Sequence, residues 1–291
     1  MKYRGQLIST YAGVAALAAT IFSIQTVHAT SFTLSDGNSS LTLDTASQSG
    51  LNSWLVDGQN QLNQQWFWYR VGDSGPEASI DTIGPAVTTQ SAANLLTTTY
   101  TLAGDFSITI KYTLVGGTSG SGTADLVEQF AINNLTQNAT SFHFFQYSDF
   151  QPGGSLNNTI QFGQDLRGGY NEALASSSSG SVSIDTGAAS SANHSEAAAV
   201  PVTLNKLNDG VATTLSDTTD PGPGNITWAL EWDDAALAAA GQPGSSLTFS
   251  TTTDVTSQSV QEVPDATGQW AACMGLAACV VMRRYFRPRT A

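Results

Sequence analysis

Apolar residues recur at every second position through much of the chain between residues 30 and 260. The clearest run is Phe106, Ile108, Ile110, Tyr112 and Leu114, with Ser, Thr or Lys between them. Alternate strand residues point to opposite faces, so this spacing predicts a half-buried β-strand over 106–115. Residues 95–102 alternate likewise, and Gly104-Asp105 supplies the turn of a hairpin. A first hairpin is predicted from Phe32-Thr33-Leu34 and Leu41-Thr42-Leu43 across Asp36-Gly37-Asn38. Residues 126–132 and 142–147 continue the series as neighbouring strands, and 226–232 and 247–255 close it. Trp66-Phe67-Trp68-Tyr69 is apolar at successive positions, which predicts a strand with apolar residues on both faces. Helix-period runs are scarce. One short helix is expected from Asp233-Asp234 through Ala240, ended by Gly241 and Pro243. Residues 176–181 and 187–199 read as flexible low-complexity loops. Short strands with polar turns and little helix predict an all-β fold over residues 30–257, an antiparallel, jelly-roll-like β-sandwich.

The two ends follow other rules. Lys2 and Arg4 precede an apolar stretch over 11–24, and Val27-His28-Ala29 puts small residues where a signal peptidase reads. Residues 1–29 are therefore expected to be a secretory signal peptide forming a transient helix, with Thr30 the first mature residue. At the other end stand Val263-Pro264-Asp265, an apolar run over 270–282, then Arg283, Arg284, Arg287 and Arg289. Nineteen residues from 264 to 282 span about 28 Å as a helix, enough for a thin bilayer. The arginines place the extreme C-terminus in the cytoplasm. A transmembrane helix is thus predicted at about 269–282, within a terminal segment 258–291. The order of these parts resembles the C-terminal sorting signal of the PEP-CTERM class in its VPD-type variants. That resemblance implies a Gram-negative bacterium, retention in the inner membrane, and processing at Val263, Pro264 and Asp265 by an exosortase-type transpeptidase. Arg283 and Arg284 would be the basic stop. The segment from Trp228 to the Thr-rich strand near 250 also resembles the last hairpin of other sorting-signal proteins, which implies no activity.

Composition narrows the function classes. The body carries only Arg70, Lys111, Arg167 and Lys206 as cations, against all of the 23 acids except Asp265, for a net charge of about −18. Such a surface repels nucleic acid and anionic lipid. Both cysteines, Cys273 and Cys279, lie in the C-terminal apolar run, so the body is expected to fold without disulfides or a cysteine metal site.

Candidate chemistry is sparse. Trp66, Trp68 and Tyr69, with Arg70 beside them, fit a sugar-stacking row; the alternative is a core strand, because Trp66 and Trp68 share a face. Glu128, His143 and Asp149 lie on predicted neighbouring strands, and Glu231, Asp233 and Asp234 form a second acidic group. Either group fits acid–base work only if its carboxyls converge; a solvated strand face or turn is the plainer reading. His143 and His194 alone do not make a histidine-rich zinc site. No cofactor is expected. The loop 217–225 offers oxygen ligands of the kind calcium takes, but without EF-hand spacing.

These features predict an exported, non-catalytic β-sandwich protein of the cell surface or extracellular matrix. Its expected partners are signal peptidase, the transpeptidase, the inner membrane and exopolysaccharide, not nucleic acid. A carbohydrate-binding module is the alternative, and a secreted polysaccharide-active enzyme a further one.

Overall fold

A computed structural model describes residues 31–187 and 190–258. The predicted signal peptide, Val263-Pro264-Asp265, the apolar run and the terminal arginines lie outside the described residues. Within them, no helix is long and apolar enough to cross a membrane. In chain order the strands are β1 (Ser31–Asp36), β2 (Ser39–Asp44), β3 (Leu51–Val56), β4 (Gln59–Asn60), β5 (Leu62–Val71), β6 (Ala78–Ser79), β7 (Val87–Ala92), β8 (Leu95–Leu102), β9 (Phe106–Gly116), β10 (Thr123–Asn134), β11 (Thr140–Phe150), β12 (Thr159–Gln164), β13 (Tyr170–Ser177), β14 (Gly180–Asp185), β15 (His194–Ala199), β16 (Thr218–Thr219), β17 (Ile226–Leu237) and β18 (Ser246–Ser257). Among the described residues a single α-helix, α1 (Val202–Lys206), lies between β15 and β16.

The strands form two sheets. Sheet A runs β1-β2-β3-β5-β11-β17-β15-β16, with β4 beside β3 and β6 beside β5; sheet B runs β12-β13-β14-β18-β10-β9-β8-β7. Named strands pair antiparallel except β16, which pairs parallel to β15. The all-β sandwich is thus as the alternation predicts, although ten and eight strands exceed the eight of a jelly roll. Phe106, Ile108, Ile110, Tyr112 and Leu114 are all buried on one face of β9. The first hairpin has the expected register, Leu34 opposite Leu41. Between the sheets, Phe130 stacks on Phe249 at 4.6 Å, Phe249 stacks on Trp232 at 4.6 Å, and Phe67 stacks on Phe144 at 5.6 Å. These rings, from both sheets, form the centre of the core.

Five expectations need correction. Asp233 and Asp234 lie inside β17, not at a helix start. That strand is flanked by β11 and β15, and the pairing supplies backbone partners that outweigh local helix preference. The Ser-rich stretch at 176–181 is the tip of the β13–β14 hairpin, whose Ala173, Ala175, Val182 and Ile184 are buried. Small residues hid the alternation there. The stretch at 187–199 contains β15, where Ala197 is buried against β17. Finally, β17 and β18 do not form a hairpin: β17 belongs to sheet A, and β18 sits in sheet B between β10 and β14. Likewise β10 and β11 are consecutive in sequence but fall in opposite sheets.

Candidate functional site

A group of charged residues converges on the face of sheet A that turns away from sheet B. Residues directly opposite on antiparallel strands share a face. Arg70 is opposite His143, and His143 is opposite Asp233. One row along, Phe145 is opposite Glu231, and Glu231 is opposite His194. The neighbouring β11 residues Phe144 and Gln146 point the other way, where Phe144 meets Phe130 and Gln146 donates to Glu128. The sheet thus lifts an arginine, two histidines and two carboxylates onto its outer face, where Glu231 and Asp233 stand two residues apart on one strand.

Two segments cover this face. Residues 72–86 bring Glu77, which forms a buried ion pair with Arg70. Residues 200–217 bring the Thr213 carbonyl, which accepts from Arg70 at 2.5 Å, and the Leu215 N–H, which donates to Glu231 Oε2 at 2.8 Å. Helix α1 places Thr203 and Lys206 against the Glu196 carboxylate at 3.0 and 2.6 Å. Glu231 is fully buried as a result, whereas the side chains of His143 and Asp233 are 13% and 23% exposed.

At the open edge, His143 Nδ1 lies 2.5 Å from Asp233 Oδ1 and 3.4 Å from Glu231 Oε1. His194 Nε2 is 3.6 Å from Asp233 Oδ2, and its Nδ1 is 2.9 Å from Asp217 Oδ2. The bond to Asp233 and the contact with Glu231 outweigh desolvation and raise the His143 pKa to about 9. Burial pushes Glu231 up, opposed by His143 and by the Leu215 N–H. Burial also acts to raise Asp233, but the hydrogen bond and charge of His143 prevail and hold it below the usual carboxylate range. The protonated His143 ring is thus held against the Asp233 carboxylate, with Glu231 Oε1 3.4 Å away on its other side.

The remaining predicted residues are placed elsewhere. Trp66 and Trp68 are fully buried and cannot stack on a sugar. The Trp66 indole donates to Ser79 at 2.8 Å and meets Tyr100 edge-on; the Trp68 indole donates to Asn208 at 3.3 Å. Tyr69 is half-buried against Phe106 and Phe142. This row is core because segments absent from its local sequence close over it. Glu128 is buried between the sheets, accepting from Gln65, Gln146 and Thr251 at 2.7, 3.0 and 3.2 Å. Burial pushes its pKa up to about 7 against those bonds. It therefore does not join His143. Asp149 is on the same face as His143 but six residues along β11, about 20 Å away, bonded to Asn63 at 2.8 Å. Asp234 points to the opposite face from Asp233 and accepts from the Ala236 N–H farther along the same strand. In the loop 217–225, Asp217 turns to His194 and Asp220 accepts from Gly222. Sequence reading dismissed His194, named Asp217 only as part of a calcium-type loop, and did not single out Glu77 or Glu196. The Glu-x-Asp spacing at 231–233 was the available signal; the histidines reach it only through strand pairing.

No family model matches the chain, and no curated protein matches it. Among solved structures, a bacterial glucoamylase complexed with acarbose aligns at TM-score 0.52 and 11% identity, covering 78% of this chain. This chain spans only 31% of that glucoamylase. The likeness is one of fold. An Escherichia coli protein assigned as an aldose 1-epimerase aligns at TM-score 0.47 and 12% identity, covering 78% of this chain and 99% of that one. A galactose mutarotase-like protein from Lactobacillus casei aligns at 0.44 and 10%, covering 77% and 99%.

Proposed function

We propose that the chain is an exported cell-surface or matrix protein whose β-sandwich is non-catalytic and contacts exopolysaccharide through a polar sheet face. The observation that carries this reading is the closure of the outer face of sheet A. Glu231 lies under Leu215, and Trp66 and Trp68 lie within the core, so aromatic rings and paired carboxylates do not line a common open cleft. The outer face of sheet B is broad and hydroxyl-rich. It carries Thr97, Thr99, Thr109 and Thr113, continued by Thr248 and Thr252 on β18. A surface of this kind suits many weak hydrogen bonds to a polymer rather than a deep grip on one sugar. Export and exosortase processing remain part of the proposal through the resemblance of the C-terminal signal. The test is co-sedimentation of the purified protein with exopolysaccharide from its host, beside hydrolysis and mutarotation assays. Co-sedimentation weakened by Thr→Lys changes on sheet B, with no turnover, supports the reading. Turnover, or binding indifferent to those changes, opposes it.

A second reading rests on the His143–Glu231 contact. A buried carboxyl with a raised pKa beside a histidine is an acid–base couple, and the fold is shared with part of a glucoamylase. Lifting residues 213–217 would expose it to a sugar. Polarimetry of aldoses with wild type and Glu231→Gln separates the two readings.

A further inference from the structure

We propose that His143, Glu231 and Asp233 form a binding site for a divalent transition metal, with Zn²⁺ as the ion its donors fit. One donor atom from each residue lies within 4.8 Å of the other two. The His143 Nδ1 to Glu231 Oε1 separation is 3.4 Å. Ligands about 2.0–2.1 Å from a tetrahedral zinc stand about 3.3 Å apart, so this edge is already at metal-binding length. The His143–Asp233 edge, at 2.5 Å, needs to open by less than about 1 Å, which rotation of the partly exposed Asp233 carboxylate supplies.

An independent feature points to a missing partner. Glu231 Oε1 is buried and makes no hydrogen bond, although Oε2 of the same carboxylate is satisfied by Leu215. A buried carboxylate oxygen without a hydrogen bond is costly, and this one faces the histidine ring across 3.4 Å. The surroundings also suit a metal. Asp73 Oδ1, on an exposed side chain, lies 3.8 Å from His143 Nε2 and adds negative charge near the ring without a hydrogen bond to it. His194 flanks Asp233 and is itself held by Asp217. One imidazole with two carboxylates favours zinc-like ions over calcium or magnesium, which take all-oxygen sets. Three protein ligands leave a fourth position for water or for a group on a partner.

The experiment uses the full chain in detergent, untagged, with Cys273 and Cys279 replaced by Ser in every sample to remove thiol binding. Equilibrium dialysis against Zn²⁺ should give one tightly held ion per chain, not displaced by excess Ca²⁺ or Mg²⁺. His143→Ala and Asp233→Asn should each weaken that ion by at least about tenfold, and His194→Ala by less. Co²⁺ on the wild-type background should give the visible absorption of a four- or five-coordinate site. This spectrum decides the matter if a variant fails to fold. The proposal is overturned if no Zn²⁺ is retained at micromolar concentration, if His143→Ala and Asp233→Asn bind as wild type does, or if Co²⁺ yields only the spectrum of the hydrated ion. None of these outcomes depends on whether the protein binds polysaccharide.

Discussion

Glu128 shows how one residue's environment sets its chemistry. Its Oε2 takes three donors, while its Oε1 and the Oε1 atoms of Gln65 and Gln146 are buried without partners. A proton on the carboxyl gives that cluster the donor it lacks. The folded carboxyl keeps its proton to about pH 7, whereas the ordinary value is 4.5. Stability from this residue is therefore fully present below about pH 4.5 and is lost as pH rises through about 7. Glu128→Gln carries a permanent donor. It should match wild type near pH 4 and exceed it near pH 8 by on the order of 3 kcal/mol. Urea unfolding at the two pH values checks this; an equal shift at both would refute the assignment. Arg70 behaves oppositely. Truncation to Ala leaves Glu77 buried without its cation, and should cost about 3–5 kcal/mol in the same assay. A variant within 1 kcal/mol of wild type would mean that Glu77 finds another partner or water.

At the scale of elements, the hairpins are local, but their docking is not. The β1–β2 turn rests on the β9–β10 connection: Gly116 N–H donates to Asp36 Oδ2 at 2.9 Å, and Gly117 N–H donates to Asn38 Oδ1 at 2.8 Å. A Cβ on Gly116 would lie 1.8 Å from the Asp36 carbonyl oxygen. Both groups are backbone and cannot rotate away, so Gly116→Ala should cost about 3 kcal/mol by overpacking. Gly58, with φ +79° and no atom within 4 Å of an added Cβ, is the comparison. Gly58→Ala should cost only the about 1–2 kcal/mol of a left-handed residue. Denaturant midpoints that rank the two in reverse would argue against this docking. The alternation at 106–114 needed no tertiary information, because a half-exposed strand prints its buried face directly in the sequence. The strands at 170–185 and 194–199 did not print theirs, since Ala and Ser differ too little in polarity to mark inside from outside.

For the whole molecule, the expected division is between a self-sufficient body and a terminal device. The body's core joins both sheets without cysteine, and its strands end at Ser257. Removing residues 263–291 should therefore release a folded protein into the periplasm or medium. Replacing Pro264-Asp265 by Ala-Ala in the full chain should leave an unprocessed, membrane-retained form. Mass spectrometry of cell fractions reads both; an Ala-Ala chain that matures to the wild-type mass would remove the sorting-signal proposal and leave a plain anchor.

The fold class was legible from the sequence because period-two burial is a local property, repeated often enough to exclude a helical body. The charge excess and the absence of cysteine between residues 30 and 262 were equally plain. Tertiary structure alone decided which strands share a sheet, since consecutive strands such as β10 and β11 have the same local pattern whether they pair or cross between sheets. It also decided the fate of the aromatic row. Trp66 and Trp68 look the same in sequence whether exposed or covered, and the indole hydrogen bonds to Ser79 and Asn208 come from segments 13 and 140 residues away. The candidate site follows the same rule. Glu231 and Asp233 share a face by spacing, but His143 and His194 come from separate strands, and only sheet pairing brings the four together.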